Sequence, residues 1–191
     1  VTETGPGTGL YDTGAGSSMS EHDEGRTPPI HPTRRLDFLP LRVDHAEEMT
    51  GVLSDPRLHE FIGGTPYDVA QLRARYERLT AGSPRPGERW LNWVLHLRTE
   101  GRLVGTVQAT VLPCTAELAW IIGTPWQGRG LASEAAKALA TALASDEAHR
   151  TLTAHIHPSH HASQAVARAA GLTPTEHWHD GELRWGRGPL P

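Results

Sequence analysis

Trp120-Ile121-Ile122-Gly123-Thr124-Pro125-Trp126-Gln127-Gly128-Arg129-Gly130-Leu131-Ala132-Ser133-Glu134 is the stretch that decides the fold. It begins inside an apolar, strand-like run over 118–122 and breaks at Gly123-Thr124-Pro125. It then turns through Gln-Gly-Arg-Gly-Leu-Ala into an alanine-rich helix expected over 133–144. A Gly-rich turn between a strand and a helix start presents unpaired backbone N–H groups at the positive end of the helix dipole, which suits an anion. Gly128 and Gly130 let the backbone bend and approach a ligand where a β-carbon would obstruct it. The chain has neither Gly-x-x-x-x-Gly-Lys-Ser/Thr nor Gly-x-Gly-x-x-Gly at this place, so a Walker loop and a dinucleotide loop are both set aside.

On either side of this turn the pattern alternates strands and helices. Apolar residues at 36, 38, 39, 41 and 43 indicate an entry strand. Asp44, with Glu47 three positions on, reads as a capping box opening a helix to about Leu53, and Pro56 ends it. Residues 57–62 suggest another short helical turn. Asp68 caps a longer helix through about Thr80, with Val69, Leu72, Tyr76 and Leu79 on one face. Strands are expected over 90–97, 103–112 and 117–122, the first two joined by a Gly-containing hairpin turn. A fourth follows over 151–156, parallel to its predecessor if the intervening helix is the crossover. A helix over 163–170 ends at Gly171, and a hairpin over 175–185 turns at Asp180-Gly181. This order predicts an α/β fold, a mixed sheet with helices on both faces.

Bulk properties narrow the class. The chain has 191 residues and a formal charge of -4. Residues 1–30 hold five acids and one base, leaving seventeen of each for 31–191. That neutral balance excludes the basic excess of a nucleic-acid binder. Residues 1–32 are rich in Gly, Ser, Thr and Glu and close on Pro28-Pro29 and Pro32, so they read as a disordered tail ahead of a folded domain over 33–188. The single cysteine, Cys114, excludes an internal disulfide framework and suits a reducing compartment. No apolar run approaches ~20 residues, and the N-terminus lacks a signal-like stretch. A cytoplasmic protein with no membrane or nucleic-acid partner is expected, with homodimerisation left open.

The turn matches Gln/Arg-x-x-Gly-x-Gly/Ala through Gln127, Gly130 and Ala132. In this it resembles the acetyl-CoA pyrophosphate loop of the GCN5-related N-acetyltransferase (GNAT) superfamily. Other short motifs keep the order of the RimJ/RimL-like branch from about Arg34 to Trp185. They are Arg35-Leu-Asp-Phe-Leu-Pro-Leu-Arg42, Leu53-Ser-Asp-Pro56, Gly101-Arg-Leu-Val-Gly105, Ala116-Glu117-Leu118-Ala-Trp120, and His157-Pro-Ser-His160-His-Ala-Ser163 running into Gly171-Leu172. The resemblance implies a sheet splayed between two parallel strands to admit acetyl-CoA as co-substrate, and no metal.

It also implies roles. Gln127, Gly128, Arg129, Gly130, Leu131, Ala132 and Ser133 would hold the pyrophosphate, mostly by backbone N–H, with Arg129 adding charge. The edge of 119–122 would pair with pantetheine, and an N–H near Ile121 or Ile122 would polarise the thioester carbonyl. Glu117 is the candidate general base, expected to be poorly solvated between Leu118 and Trp120, or else merely a strand residue paired with an arginine. Ser163 is the candidate proton donor to the leaving thiolate, or else a helix N-cap. His160 stands where the family pattern has an Asn contacting pantetheine, and an imidazole can also donate there. His155, His157, His160 and His161 cluster, but the family run explains them without a metal. Cys114 reads as a structural thiol.

Trp90, Trp178 and Trp185 lie in elements that border the acceptor side in this family. With acids such as Glu60, Asp68, Glu88, Asp180 or Glu182 nearby, they would suit a cationic, ring-shaped amine. Phrases such as Gln108-Ala-Thr110 and Ala154-His-Ile-His-Pro158 look like small-molecule resistance acetyltransferases, of the kasugamycin 2'-N-acetylating kind. The expected function is acetyl transfer to a primary amine of a small molecule such as an aminoglycoside. The alternatives are acetylation of a protein N-terminus, as in ribosomal-protein acetylases, and a catalytically silent acetyl-CoA sensor.

Overall fold

Alternation of large apolar and polar side chains builds one sheet whose two faces differ. A computed structural model of the chain describes residues 29–146 and 151–188. The tail expected over 1–32 therefore falls mostly outside the described residues. Among them seven strands pair in the order β1-β2-β3-β4-β5-β7-β6. They are β1 (Leu36–Pro40), β2 (Arg89–Leu97), β3 (Arg102–Val111), β4 (Thr115–Ile122), β5 (Thr151–Ile156), β6 (Thr173–His179) and β7 (Glu182–Arg187). The helices are α1 (Ala46–Val52), α2 (His59–Ile62), α3 (Val69–Ala81), α4 (Leu131–Asp146) and α5 (His161–Ala169).

Cross-strand register assigns the faces, because directly opposed residues point the same way. Leu91, Ala109 and Leu118 oppose one another across β2, β3 and β4, as do Trp93, Val107 and Trp120. This face continues through Ala154 and Trp185 on β5 and β7 and is covered by α4 and α5. Burying Leu139 and Leu143 of α4 there stabilises the layer by ~1.5–3 kcal/mol for each side chain. The other face carries Trp90, Thr110 and Glu117 in one row and Asn92, Gln108 and Ala119 in the next. None of these six is buried. At Gly105 the backbones come so close that an added β-carbon would stand 2.2 Å from the Ile121 carbonyl oxygen.

All pairings are antiparallel except β4 with β5, the expected crossover pair. Asp68 caps α3, accepting from the Gln71 N–H at 2.8 Å while the Gln71 side chain accepts from Asp68 N–H. Asp180 (φ 48°) and Gly181 (φ 81°) are both left-handed, as a two-residue I′ hairpin turn requires.

Three local expectations fail. Asp44 does not cap α1: the chain first makes a single 3-10 turn over Val43–His45, and the Asp44 carboxylate is held by the Arg42 guanidinium at 2.5 Å. Val69 sits on the exposed side of α3, where only Leu72 and Tyr76 are buried. Ser163 is not an N-cap, because α5 begins two residues earlier with His160 as its N-cap. Ile30 is packed into the core, so packing starts slightly ahead of the boundary drawn at residue 33.

Candidate active site

Parallel pairing of β4 and β5 is short: Thr115, Ala116 and Glu117 meet Thr151, Leu152 and Thr153, and there it stops. Beyond Glu117 and Thr153 the strands diverge, leaving an open wedge along 118–122. The Gly123 N–H bonds to the Val104 carbonyl, so by strand alternation Ile121 turns its N–H and C=O to β3. Trp120 and Ile122 turn theirs into the wedge. The wedge-facing N–H is thus that of Ile122, with Trp120, and Ile121 is excluded. Gln127 fixes the other half of this peptide edge, donating from Nε2 to the Ile122 carbonyl at 3.0 Å.

At the wide end of the wedge the Gly-rich turn runs into α4. Gly128 (φ 72°) and Gly130 (φ 74°) are left-handed, and α4 begins at Leu131, two residues sooner than the sequence suggests. An added β-carbon at Gly128 would touch nothing and at Gly130 only Arg35 at 3.7 Å, so conformation rather than space demands glycine here. The first N–H groups of a 16-residue helix face the turn. A cleft of about 490 Å³ joins turn and wedge. Among its lining are Ile121, Ile122, Gln127, Gly128, Gly130, Leu131, Ala132, Ser133, His160 and Ser163.

Arg129 is not in that lining. Its guanidinium donates to Glu100 at 2.8 Å, and Glu100 also accepts from Trp126 Nε1 at 2.8 Å. These two donors, Trp126 first, hold the Glu100 carboxyl below the usual range. Arg129 therefore braces the turn against the β2–β3 hairpin instead of lending it charge. One cation beside the turn is Arg35, and Arg57 is another in the cleft lining. Arg35 donates from Nε to Glu134 at 2.7 Å and from its other arm to the Arg129 carbonyl at 2.8 Å. Glu134 also accepts from Thr33 Oγ1 at 2.6 Å and from the Arg35 N–H at 2.9 Å. Burial pushes the Glu134 carboxyl up, but Thr33 and Arg35 outweigh it and the net direction is down. Sequence reading missed Arg35 and Glu100 because their partners lie far along the chain, 99 residues away for the Arg35–Glu134 contact.

At the narrow end stands Glu117, its side chain half exposed, so the poor solvation expected between Leu118 and Trp120 does not arise. Its partner is a histidine, not an arginine: His155 Nδ1 lies 2.7 Å from Oε1. Across the cleft His160 stacks on Phe61 of α2, centroids 4.2 Å apart. Burial pushes the His160 imidazole below its usual value, with Glu60 opposing and His157 assisting. His157 also tilts against Phe61 and accepts from Ser159 N–H. Among the described residues no group of three or more His, Cys, Asp or Glu could hold a metal. Cys114 is exposed and outside the cleft.

The tryptophans divide. Trp90 shares the row of Glu117, and its Nε1 donates to Glu88 at 2.8 Å. Glu182 lies on that same face, two residues from Arg184, the partner of His155. Trp185 does not line an acceptor site: it is 2% exposed on the opposite face, with Arg168 of α5 over its ring. Trp178 is exposed but pairs with Leu183, which puts it on the Trp185 face as well. Period-two alternation decides this, since a one-residue offset moves a side chain across the sheet.

A wedge between parallel strands that leads to a left-handed Gly-rich turn and a helix start defines the class. The acetyltransferase (GNAT) domain family matches residues 35–173. The chain belongs to that family and is an N-acetyltransferase. Its fold is shared with a GNAT-family acetyltransferase from Bacillus anthracis, at 18% identity and a TM-score of 0.70, covering 83% of this chain and 97% of the other. RimL, a ribosomal-protein alpha-N-acetyltransferase in complex with coenzyme A, matches at 16%, 0.70, 83% and 97%. The aminoglycoside acetyltransferase AAC(6')-Ib with coenzyme A matches at 14%, 0.65, 80% and 94%. No curated protein sequence matches the chain significantly. Among the described residues no helix is long and apolar enough to cross a membrane.

Proposed function

We propose that the protein transfers acetyl from acetyl-CoA to a primary amine of a cationic small molecule, an aminoglycoside being the first choice. The observation that carries this is the cleft running from the left-handed turn at Gly128 and Gly130 to the Ile122 and Trp120 peptide edge, with Glu117, outside its lining, three residues further along β4 where that strand leaves β5. Strand rise of ~3.3 Å per residue makes the stretch from Ile122 to Glu117 roughly 17 Å, room for an extended arm laid beside β4. Backbone N–H groups of the turn and α4 would hold pyrophosphate. The Ile122 or Trp120 N–H would polarise the thioester carbonyl, and Ser163 on α5 would return a proton to the thiolate.

The acceptor would arrive on the open sheet face. Glu117 and Glu182 offer carboxylates there, and Trp90 offers an indole on which a cation gains ~0.5–2 kcal/mol. The even charge of residues 31–191 gives no net basic excess for docking on a ribosome, which favours the small molecule over a ribosomal-protein N-terminus. Thiol release from acetyl-CoA against a panel of amines tests the reading, with kasugamycin first. Acetylation of an aminoglycoside, together with raised tolerance in a sensitive bacterium, is the expected result. Acetylation only of peptides that mimic ribosomal-protein N-termini would replace it with the protein-acetylase reading. Binding of acetyl-CoA with no acetyl transfer to any amine or peptide would leave the silent sensor.

A further inference from the structure

We infer that His155, held by Glu117, is the base that takes the proton from the acceptor ammonium, and that Glu117 acts as its positioning carboxylate. The inference rests on the acetyl-transfer reading and deepens it. Glu117 is the last β4 residue paired with β5, and His155 lies two residues past the last β5 residue paired with β4. The two side chains therefore meet across the apex of the wedge, on the open face of the sheet. Their contact, His155 Nδ1 to Glu117 Oε1, is 2.7 Å.

This contact fixes the tautomer. An ionised carboxylate only accepts, so the shared proton sits on Nδ1 and the lone pair is left on Nε2. Glu117 already spends one oxygen on the imidazole, whereas Nε2 has no hydrogen-bond partner among the described residues, in a ring whose side chain is 21% exposed. Imidazole is also the side-chain class whose ordinary titration lies nearest neutrality, the best Brønsted match for a base working there. A carboxylate behind it stabilises the imidazolium that forms. Other groups face the ring as well. Arg184 on β7 pairs directly with His155, the His179 ring of β6 is 5.7 Å away, and Asp180 lies 3.5 Å from His179.

The step balances. The ammonium gives one proton to His155 Nε2, and the freed nitrogen lone pair forms the C–N bond to the acetyl carbonyl carbon. The C–S bond then breaks with its electron pair on sulfur. The second amine proton reaches that thiolate through Ser163, and His155 releases its own to water.

The test compares His155→Ala, Glu117→Gln and the double variant with wild type on an accepted amine. Melting temperature and acetyl-CoA affinity are measured for each. His155→Ala should lower kcat by roughly 10²-fold or more, with KM for acetyl-CoA little changed. Imidazole added to His155→Ala should restore turnover several-fold and do nothing for Glu117→Gln. The double variant should be no worse than His155→Ala by more than a few-fold, as expected of groups that act as a unit. If His155→Ala melts early, His155→Gln takes its place for kcat. Near wild-type kcat in the His155 variants with a large loss in Glu117→Gln would overturn the inference and return the base to Glu117. Lack of imidazole rescue would overturn it as well. Failure of the wild-type protein to acetylate any amine would instead bring down the acetyl-transfer reading itself.

Discussion

Arg35→Ala should weaken acetyl-CoA binding even though the sequence offered Arg35 only as the first residue of the entry-strand motif, with no role at the turn. Its NH2 lies 3.7 Å from where a β-carbon on Gly130 would stand, and its other nitrogens are tied to Glu134 and the Arg129 carbonyl. A pyrophosphate on the turn would lie roughly 7 Å from the guanidinium, and at an effective dielectric of ~20–80 one such charge pair is worth ~0.6–2.4 kcal/mol. At about 1.4 kcal/mol per tenfold, Kd should rise roughly 3- to 50-fold. Glu134 stays behind as an uncompensated anion beside the ligand, so Arg35→Ala with Glu134→Gln should recover part of the loss. Calorimetric titration with acetyl-CoA at low and high salt reads this out, and the gap between wild type and variant should shrink as salt screens it. A folded Arg35→Ala protein with wild-type Kd at low salt would refute the reasoning. So would a loss indifferent to salt, which would point to a distorted turn.

Gly130→Asp adds a negative charge where an anion should sit, at a left-handed position costing about 1–2 kcal/mol for a residue with a β-carbon. Acetyl-CoA binding should be lost while the circular dichroism spectrum is kept, and unchanged calorimetric affinity would show that the turn is not the site. Trp185→Ala removes a buried ring beneath α5, so it should cost about 3–5 kcal/mol in denaturant unfolding. A change confined to acceptor KM would mean that the ring faces the site after all. His160 has its imidazole lowered from 6.5 by burial against Phe61. The unfolded chain then binds that proton more readily, so the His160 contribution is present above pH 6.5 and is lost as pH falls from there through the lowered folded value. His160→Gln should therefore flatten the fall in melting temperature below pH 6.5, and an unaltered slope would assign the fall to other groups.

What the sequence determined by itself was whatever depends on near neighbours. The left-handed glycines at 128 and 130, the α3 cap at Asp68, the I′ turn at Asp180-Gly181 and the C-terminal Gly171 of α5 are set by backbone preferences within a few residues, and alternation reveals the strands. The parallel β4–β5 pair follows from the crossover length. Even local signals yield when a stronger contact is close by, as at Asp44, whose carboxylate goes to Arg42 instead of a helix start. Tertiary structure alone decided the rest. The partner of Glu117 lies 38 residues away, and it became His155 because two parallel strands in one register bring their side chains to one face. The same register sent Trp185 into the core, although no composition or spacing distinguishes it from Trp90. Arg35 reaches the anion turn only because the segment entering β1 packs across the start of α4. Local chain chemistry names the kind of element, but which side chains share a site depends on how distant strands align, and that is fixed only when the sheet closes.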